Sequence, residues 1–414
     1  MANATHEIVI IGGGSAGIAT ASSLLKRRPE LDIAIVEPAN LHYYQPGWTM
    51  VGGGVFDAPV TARPMRDVMP SAVTWVQESA ASFQPEIKQV TLQNGDTLHY
   101  RLLIVAAGIR LAWEQIEGLG QSLGAHGVTS NYRYDLAPYT WQLVKSLKQG
   151  RALFTQPPMP IKCAGAPQKA MYLSCDAWRD AGVLGDIDVQ FHNAGAVLFG
   201  VDAYVPALMD YVDRYGIDLN FGSTLTAIDG PARQAIFKTA DGEITRDFDM
   251  IHVVPPQVAP DFIADSPLAA ESGFVDVDQF TLRHHRFPDI FALGDVGSMP
   301  NAKTAAAARK QAPIVAVNAL AVLDGHAPVC DYDGYGSCPL TVERGRIVLA
   351  EFGYGGKLLP SFPDWIIDGT KPHRLSWLLK SEALPWIYWN GMLKGHEWLV
   401  KPKPRLTPNP RQAA

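Results

Sequence analysis

The feature that most constrains this chain is a glycine-rich turn between a predicted strand and a helix near its start. Four apolar residues, 8–11, precede the turn Gly12-Gly13-Gly14-Ser15-Ala16-Gly17, and a helical pattern follows over residues 18–26. A second apolar run, residues 33–36, ends in Glu37. Strand, glycine turn, helix, strand and acid make up the βαβ unit that binds a dinucleotide. The sequence therefore predicts an α/β protein with at least one Rossmann-like domain.

The residues of this unit have separate physical roles. Glycine permits the tight turn and lets backbone N–H groups approach a pyrophosphate at the N-terminus of the helix. Glu37 is expected to accept hydrogen bonds from the adenosine ribose hydroxyls, and its charge disfavours a 2′-phosphate. The residues predicted to bind the dinucleotide here are Gly12, Gly14, Ser15, Ala16, Gly17 and Glu37.

Two later segments indicate which dinucleotide is bound. Residues 100–108 read as a strand that ends in Gly108, and residues 281–295 read as a strand that ends in Gly294-Asp295. They resemble the two further signatures of the flavoproteins with two dinucleotide domains, the family that includes glutathione reductase. In that family the last Asp approaches the ribityl and phosphate part of FAD. The resemblance implies FAD as cofactor, with Gly108, Gly294 and Asp295 beside it.

The order of these motifs predicts a discontinuous first domain. Residues 1–120 and 280–328 are expected to form the FAD domain, since its Gly-Asp signature returns only near 294. The insertion, residues 121–279, begins with a strand-helix-strand pattern of its own. Its loop 156–167 is rich in proline, which offers no N–H to a phosphate, and lacks GxGxxG. A second Rossmann-like domain without a nicotinamide cofactor is therefore expected, followed by a third region, residues 329–414.

Composition excludes several other classes. The 414 residues carry a net charge of −6 and no run rich in Lys or Arg, so a nucleic-acid partner is not expected. Four cysteines are too few for a disulfide-stapled scaffold, and no CxxC or Cys/His spacing suggests a metal. The start of the chain has no signal-peptide pattern, and no run of about 18 apolar residues would cross a membrane.

The third region is expected to contain a small β element over residues 331–354 and then amphipathic helices. Five of the ten tryptophans fall after residue 360, and they are Trp365, Trp377, Trp386, Trp389 and Trp398. Trp rings among lysines favour a membrane interface. A helical pair packed on the protein's own core, or a homo-oligomer interface, is the alternative. If the helices only dock on a membrane, a chain cut after about residue 362 should keep its FAD.

The four cysteines differ in their surroundings. Cys163 lies beside Lys162, just before a predicted helix that carries Lys169 in its first turn, and nearby cations and a helix N-terminus favour the thiolate. Cys338 lies in a glycine-rich turn. Cys175 falls inside an apolar helix and is expected to be buried and inert. Cys330 has no supporting charge, and by residue type alone Cys163 and Cys338 would also be unremarkable.

Four motifs together carry a closer resemblance. They are His42-Tyr43-Tyr44-Gln45-Pro46-Gly47-Trp48, the proline-rich loop with Cys163, Asn301-Ala302-Lys303-Thr304, and Tyr335-Gly336-Ser337-Cys338-Pro339. In this order, over residues 8–398, the chain resembles the sulfide:quinone oxidoreductases. The resemblance implies FAD without NAD, Cys163 and Cys338 as a redox pair, and Gln45, Asp295 and Lys303 around FAD. No cysteine precedes Cys163, so the chain is most similar to the two-cysteine subgroup that includes the mitochondrial enzymes.

This resemblance implies a reaction and its partners. Hydrosulfide would attack a disulfide or sulfur-bridged form of Cys163 and Cys338, FAD would take two electrons, and a membrane quinone would receive them. The sulfane sulfur would pass to a small acceptor such as a thiol or sulfite. A peripheral, monotopic enzyme on the cytoplasmic face of a bacterial inner membrane is expected. The alternatives are a type II NADH:quinone dehydrogenase, a flavocytochrome-type sulfide dehydrogenase, or a flavin-binding redox sensor.

Overall fold

The computed structural model describes residues 3–405, and the elements given below belong to that part of the chain. Two main sheets with helices on their faces form the molecule. The strands of the first sheet, in spatial order, are Thr74–Val76, Ile33–Val36, Asn3–Ile11, Thr97–Val105, Gln89–Leu92 and Ala80–Gln84, with Ile290–Ala292 also paired to Thr97–Val105. The strands of the second, in spatial order, are Val128–Thr129, Met250–His252, Gly150–Gln156, Ile187–Asn193 and Asp218–Phe221.

Smaller antiparallel sheets and the helices complete this architecture. The small sheets join Leu41–Tyr43 with Ala62–Pro64, Arg110–Leu111 with Gln257–Val258, Thr224–Asp229 with Gln234–Thr239 and Gly242–Asp247, and Gly336–Glu343 with Arg346–Phe352 and Pro372–His373. The α-helices are Ser15–Arg27, Trp48–Gly52, Met65–Val68, Leu119–Ser122, Ala137–Ser146, Ala166–Asp180, Val205–Tyr215, Asp261–Ala264, Ala305–Leu323, Arg374–Leu378 and Leu384–Asn390, and a π-helical turn spans Leu379–Ala383.

Three parallel strands of the first sheet bring the predicted cofactor motifs together. Ile11 pairs with Val105, and Val105 pairs with Ala292, so the three strands end at the same edge. The glycine turn, Gly108 and Gly294-Asp295 all follow within a few residues of that edge. The carboxyl edge of a parallel sheet is where α/β proteins bind nucleotides. The βαβ unit predicted at residues 8–37 is confirmed. The strand expected over 281–295 is wrong in extent, because only Ile290–Ala292 pairs as a strand.

The second sheet repeats the strand-helix-strand pattern. Gly150–Gln156 lies parallel to Ile187–Asn193, and the helix Ala166–Asp180 connects them. The connecting loop, residues 157–165, contains Cys163 and is called the cysteine loop below. It therefore occupies the position that a phosphate-binding loop would have in a nucleotide-binding domain.

The region predicted as the third domain divides between two cores. Cys338, Leu340 and Val348 of its hairpin pack with the second sheet, whereas Tyr388, Trp389, Met392 and Leu393 pack with the first. Residues 384–398 are called the C-terminal segment below. Trp389 is only 4% exposed, so the expectation that it faces a membrane is wrong, because it fills the core beneath the segment. Residues 1–2 and 406–414, the outer ends of the first and third predicted domains, lie outside the described residues.

None of the helices within residues 3–405 is long and apolar enough to cross a membrane.

Candidate active site

Two thiols from distant parts of the chain face each other. Cys163 Sγ lies 3.6 Å from Cys338 Sγ, although 175 positions separate them in sequence. An S–S bond is about 2.05 Å long, so the two are separate thiols here and would have to approach by about 1.5 Å to join. Cys338 is buried and Cys163 is partly exposed. The structure thus brings together the pair that the family resemblance implies.

The close approach of the two cysteines depends on Gly165. A Cβ atom at this position would lie 2.4 Å from Cys338 Sγ and 2.6 Å from a methyl carbon of Leu340. Heavy atoms in van der Waals contact are about 3.5 Å apart or more. Only glycine therefore lets the end of the cysteine loop pass over the strand that carries Cys338. Gly165 was not predicted, because a single glycine before a helix carries no specific signal.

The backbone of Cys163 is held in an unusual conformation. Its φ angle is +50°, in the left-handed region that L residues other than Asn and Asp rarely adopt. The Cys163 N–H donates to the Lys303 carbonyl at 2.7 Å, and the Tyr132 hydroxyl, 3.0 Å from the Lys162 carbonyl, is 3.3 Å from that of Cys163. Such strain persists where surrounding contacts fix it, and it is common at functional sites. Here these contacts aim the thiol at Cys338.

The electrostatics of the pair favour a thiolate on Cys163. The hydrogen bond from the Cys338 thiol lowers the pKa of Cys163 most, and Lys169, whose Nζ lies 3.0 Å from Cys163 Sγ, lowers it further. The same contact with Cys163, together with burial, raises the pKa of Cys338. Lys169 is 2% exposed, and its pKa is raised by the nearby sulfurs, so it remains charged. The two cysteines are therefore chemically unlike, one a thiolate and the other a thiol.

Two further lysines lie near this pair. Lys380, in the π-helical turn, is 3% exposed, and burial with the repulsion of Lys169 lowers its pKa to about 7. Its charge also lowers the pKa of Cys163. Lys162 Nζ donates to Gln45 Oε1 at 2.7 Å, which places the predicted Gln45 beside the cysteine loop. No sequence signal assigned Lys380 to the cysteines, because it approaches them from a different part of the chain.

The glycine turn has the shape of a phosphate-binding loop. A Cβ atom at Gly17 would lie 1.9 Å from the Gly12 carbonyl oxygen, so glycine is required for the helix to begin this close to the strand. A Cβ at Gly14 or at Gly108 would meet nothing within 4 Å, and both positions border open space. Glu37 Oε2 accepts from the Gly13 N–H at 2.8 Å, so its carboxylate lies against the turn.

The motif Gly294-Asp295 lies at the same edge of the first sheet as the glycine turn. A Cβ at Gly294 would be 3.1 Å from the Cβ of Ala16, so this motif packs directly on the start of the first helix. The Asp295 carboxylate makes no hydrogen bond with residues 3–405, and burial raises its pKa. Lys303 Nζ donates to the carbonyls of Asp295 and Gly297 at 2.7 and 2.8 Å. Two of the three Lys303 donors thus hold the Asp295 turn, and burial lowers the pKa of Lys303 to about 8.

These residues fit FAD. The open space at Gly14 and Gly108 admits a pyrophosphate and its neighbouring groups, the helix Ser15–Arg27 supplies N-terminal N–H groups, and the Asp295 carboxylate has acceptor capacity for hydroxyl donors. Ser15 stands at the first position of that helix. The predicted cofactor residues therefore converge at one edge of the first sheet, next to the cysteine loop.

The other two cysteines lie apart from this site. Cys175 is fully buried in the helix Ala166–Asp180, and burial raises its pKa. Cys330 is 6% exposed, and burial raises its pKa also. Both remain thiols at neutral pH. Among residues 3–405 no cluster of His, Cys, Asp or Glu could hold a metal ion.

Comparison with known proteins decides the family. A family model described as pyridine nucleotide-disulphide oxidoreductase matches residues 6–164. The mitochondrial sulfide:quinone oxidoreductase of Dictyostelium discoideum is 42% identical over 95% of this chain and 87% of its own length. The chain belongs to the sulfide:quinone oxidoreductase family. The mitochondrial enzyme of the same name from Mus musculus is 37% identical over 94% of this chain and 87% of its own.

A solved sulfide:quinone oxidoreductase shares the fold. The enzyme of the hyperthermophilic bacterium Aquifex aeolicus superposes with a TM-score of 0.78 at 19% identity, and the match covers 93% of this chain and 92% of that one. The extensive match to sulfide:quinone oxidoreductases favours this family over the type II NADH dehydrogenase alternative. FAD is the cofactor of the family, in agreement with the fit of the glycine turn.

The expected location on a bacterial inner membrane is wrong. Relatives from Dictyostelium and mouse, each matching more than 90% of this chain, are named as mitochondrial enzymes and not as bacterial ones. The sequence could not make this distinction, because the membrane side was inferred only from the absence of a signal-peptide pattern.

Proposed function

We propose that this chain oxidises hydrogen sulfide to sulfane sulfur with FAD and passes the electrons to a quinone. The observation that carries the proposal is the contact of Cys163 with Cys338 at 3.6 Å, with Lys169 at 3.0 Å from the Cys163 sulfur. A dithiol with one stabilised thiolate is suited to thiol–disulfide exchange. In this proposal Cys163 and Cys338 exchange sulfur with the substrate, and Lys169 stabilises the Cys163 thiolate.

The two cysteines have distinct parts in the reaction. In the oxidised pair, hydrosulfide attacks one sulfur, the Cys163–Cys338 bond breaks, and the other sulfur leaves as a thiolate. The thiolate with the lower pKa leaves more readily. Because the pKa of Cys163 is the lower, attack at Cys338 is favoured, which makes a persulfide there and a thiolate on Cys163 beside Lys169.

The sulfane sulfur then leaves on a small nucleophile. A thiol or sulfite attacks the outer persulfide sulfur and leaves Cys338 as a thiolate, which restores the dithiol. Cys163 and Cys338 then close to the disulfide by giving up two electrons, for which FAD, when bound, would be the acceptor on the way to quinone. With a thiol RSH as the acceptor, the balance is hydrogen sulfide, RSH and quinone giving RSSH and quinol.

A cavity near the C-terminal segment is suited to the quinone. It has a volume of about 520 Å³, and Tyr44, Phe56, Arg63, Trp377 and Trp386 are among the residues that line it. Apolar walls with a few polar groups are typical of sites for organic ligands. A Trp377→Ala variant should raise the KM for quinone and leave anaerobic flavin reduction by sulfide unchanged, which separates the two half-reactions.

Exposed apolar side chains between residues 365 and 386 support docking on a membrane surface. Trp365 is 84% exposed, Leu378 56% and Trp386, which also lines the cavity, 57%. Exposed rings and aliphatic side chains are suited to the lipid interface. Membrane docking would deliver quinone to the cavity. A homo-oligomer interface over the same side chains is the competing explanation, and sedimentation of the protein without lipid distinguishes the two.

The domain division remains part of the proposal. Residues 1–120 and 280–328 would form the FAD domain, 121–279 the domain that supplies Cys163, and 329–414 the region that supplies Cys338 and Lys380.

The experiment that tests the function is steady-state turnover with sulfide, a short-chain quinone and sulfite. One thiosulfate formed per quinol is expected, and quinol formation with NADH but not with sulfide would contradict the proposal.

A further inference from the structure

The C-terminal segment contacts the glycine turn through one buried tyrosine. The Tyr388 hydroxyl lies 2.6 Å from Ser15 Oγ and 2.6 Å from His42 Nε2. His42 Nδ1 in turn lies 3.2 Å from the Gly13 carbonyl oxygen. Tyr388 and His42 are each 3% exposed. Three hydrogen bonds therefore connect Ser15 to Gly13 by way of Tyr388 and His42, and Tyr388 is 373 positions from Ser15 in sequence.

The chemistry of the four groups fixes the direction of these hydrogen bonds. A carbonyl oxygen only accepts, so His42 Nδ1 must carry the proton that it donates to Gly13. Burial lowers the pKa of His42 to about 4, so the ring is neutral at physiological pH and its Nε2 is an acceptor. Tyr388 then donates to His42, and Ser15 donates to the Tyr388 oxygen.

We propose that Tyr388 and His42 position the glycine turn for FAD, and that FAD affinity is thereby coupled to the docking of the C-terminal segment. Ser15, Tyr388, His42 and Gly13 are called the tyrosine clasp below. The clasp fixes the Gly13 carbonyl and the Ser15 side chain at the turn where the N-terminal N–H groups of the helix Ser15–Arg27 would face the pyrophosphate of bound FAD. Holding the turn in its binding conformation removes an ordering cost from cofactor binding.

The segment is attached to the same helix at a second place. Ser22 Oγ donates to the Leu393 carbonyl at 2.8 Å. Arg27 makes two hydrogen bonds to the Glu397 carboxylate, at 2.6 and 2.9 Å, and Ser23 Oγ makes a third at 2.8 Å. These contacts lie along the helix Ser15–Arg27, whose first residue is in the clasp. The C-terminal segment is therefore hydrogen-bonded along the length of the helix whose N-terminus forms part of the proposed FAD site.

Two consequences follow from this coupling. If docking of the segment tightens FAD binding, FAD must stabilise docking of the segment by the same factor, since the coupling is reciprocal. A chain cut after residue 362 would also lose the clasp and the buried side chains of Tyr388 and Trp389. The proposal therefore predicts that such a truncated chain binds FAD more weakly, contrary to the expectation that it keeps its FAD.

The first test is the FAD dissociation constant of the apoprotein, measured by quenching of FAD fluorescence. Tyr388→Phe removes only the hydroxyl, and leaves a partly buried donor on Ser15 and a buried acceptor on His42 without this partner, so FAD should bind roughly tenfold more weakly. Tyr204→Phe is the matched control. Tyr204 is also 3% exposed, and its hydroxyl bonds the Glu351 backbone at 3.0 Å in the other core. It should change thermal stability without changing FAD affinity.

The second test compares proteolysis of the apoprotein with that of the FAD-loaded protein. Trypsin should cleave after Lys394 faster in the apoprotein than in the FAD-loaded protein, and in Tyr388→Phe this difference should shrink. The proposal rests on FAD binding and not on sulfide chemistry, so the FAD dissociation constants decide it even if the protein does not oxidise sulfide. The proposal would be overturned if Tyr388→Phe bound FAD as tightly as the parent, or if Tyr204→Phe lost as much FAD affinity. Trypsin cleavage at the same rate with and without FAD would also overturn it.

Discussion

The sulfur of Cys163 lies 3.6 Å from that of Cys338, across the boundary between a loop of the second sheet and a hairpin that follows the first domain. The segment of Cys163 supplies the activating Lys169, but the partner thiol comes from the distant hairpin. The contact exists because the helix Ala166–Asp180 packs against the strand Gly336–Glu343. The chemistry of the protein therefore depends on packing between elements that are distant in sequence.

Gly165→Ala should strongly reduce flavin reduction by sulfide. The added methyl group would lie 2.4 Å from Cys338 Sγ and must push the two cysteines apart or shift the loop. Gly185→Ala is the control, since a Cβ there meets nothing within 4 Å. The rate constant at saturating sulfide should fall by at least roughly tenfold in Gly165→Ala only. Equal rates in the two variants would show that the loop adapts without cost.

Lys169→Met should shift the pH dependence of Cys163 alkylation. Lys169 lowers the pKa of Cys163, so its removal raises that pKa, and the thiolate appears only at higher pH. Alkylation by iodoacetamide should therefore extend to lower pH in the parent than in the variant, whose alkylation should recover as the pH rises. Peptide mass spectrometry separates Cys163 from the other cysteines. Superimposable pH profiles would contradict a role for Lys169 in holding the thiolate.

The cofactor edge was largely predictable from sequence because each of its motifs is local. The glycine turn and Glu37 lie within one βαβ unit, and the periodicity of its strands and helix is visible without tertiary information. The pairing of Cys163 with Cys338 came from the family resemblance and not from spacing. The strand at 281–295 was overextended, because turns and isolated bridges precede the short paired run Ile290–Ala292.

The supports of the site were not predictable from sequence. Lys380, Gly165 and Tyr388 have no motif of their own, and each acts through a neighbour far away in the chain. The tryptophans after residue 360 were read as one surface, but Trp389 is buried while Trp386 is 57% exposed. Composition indicates an aromatic cluster, whereas only the fold decides which rings face the core.

NADH should not reduce the flavin of this protein at catalytic rates. The cysteine loop offers few free donors to a second pyrophosphate, because the Lys162 N–H donates to Gln257 Oε1 at 2.8 Å and the Cys163 N–H donates to Lys303 at 2.7 Å. The prolines of this loop have no N–H at all. Anaerobic stopped-flow mixing with NADH checks this, with sulfide as the positive control. Reduction by NADH as fast as by sulfide would favour a dehydrogenase.

A Trp365→Ala/Trp386→Ala double variant should bind lipid vesicles at least roughly tenfold more weakly than the parent, because both rings are exposed and suited to the interface. Its thermal stability should change little. Phe221→Ala, which removes an exposed aromatic ring on the second sheet, should leave vesicle binding unchanged. Co-sedimentation with liposomes measures the affinities. Equal binding by all three proteins would exclude these tryptophans as the docking surface.

The central claim is that Cys163 and Cys338 together accept the sulfur and pass on the electrons. Anaerobic stopped-flow addition of sulfide, followed by flavin absorbance, tests it most directly in proteins with equal FAD content. The account predicts rapid bleaching in the parent and in Cys175→Ala, whose sulfur is fully buried and outside the pair, and none at catalytic rates in Cys163→Ser or Cys338→Ser. Bleaching of either serine variant at the parent's rate would contradict it.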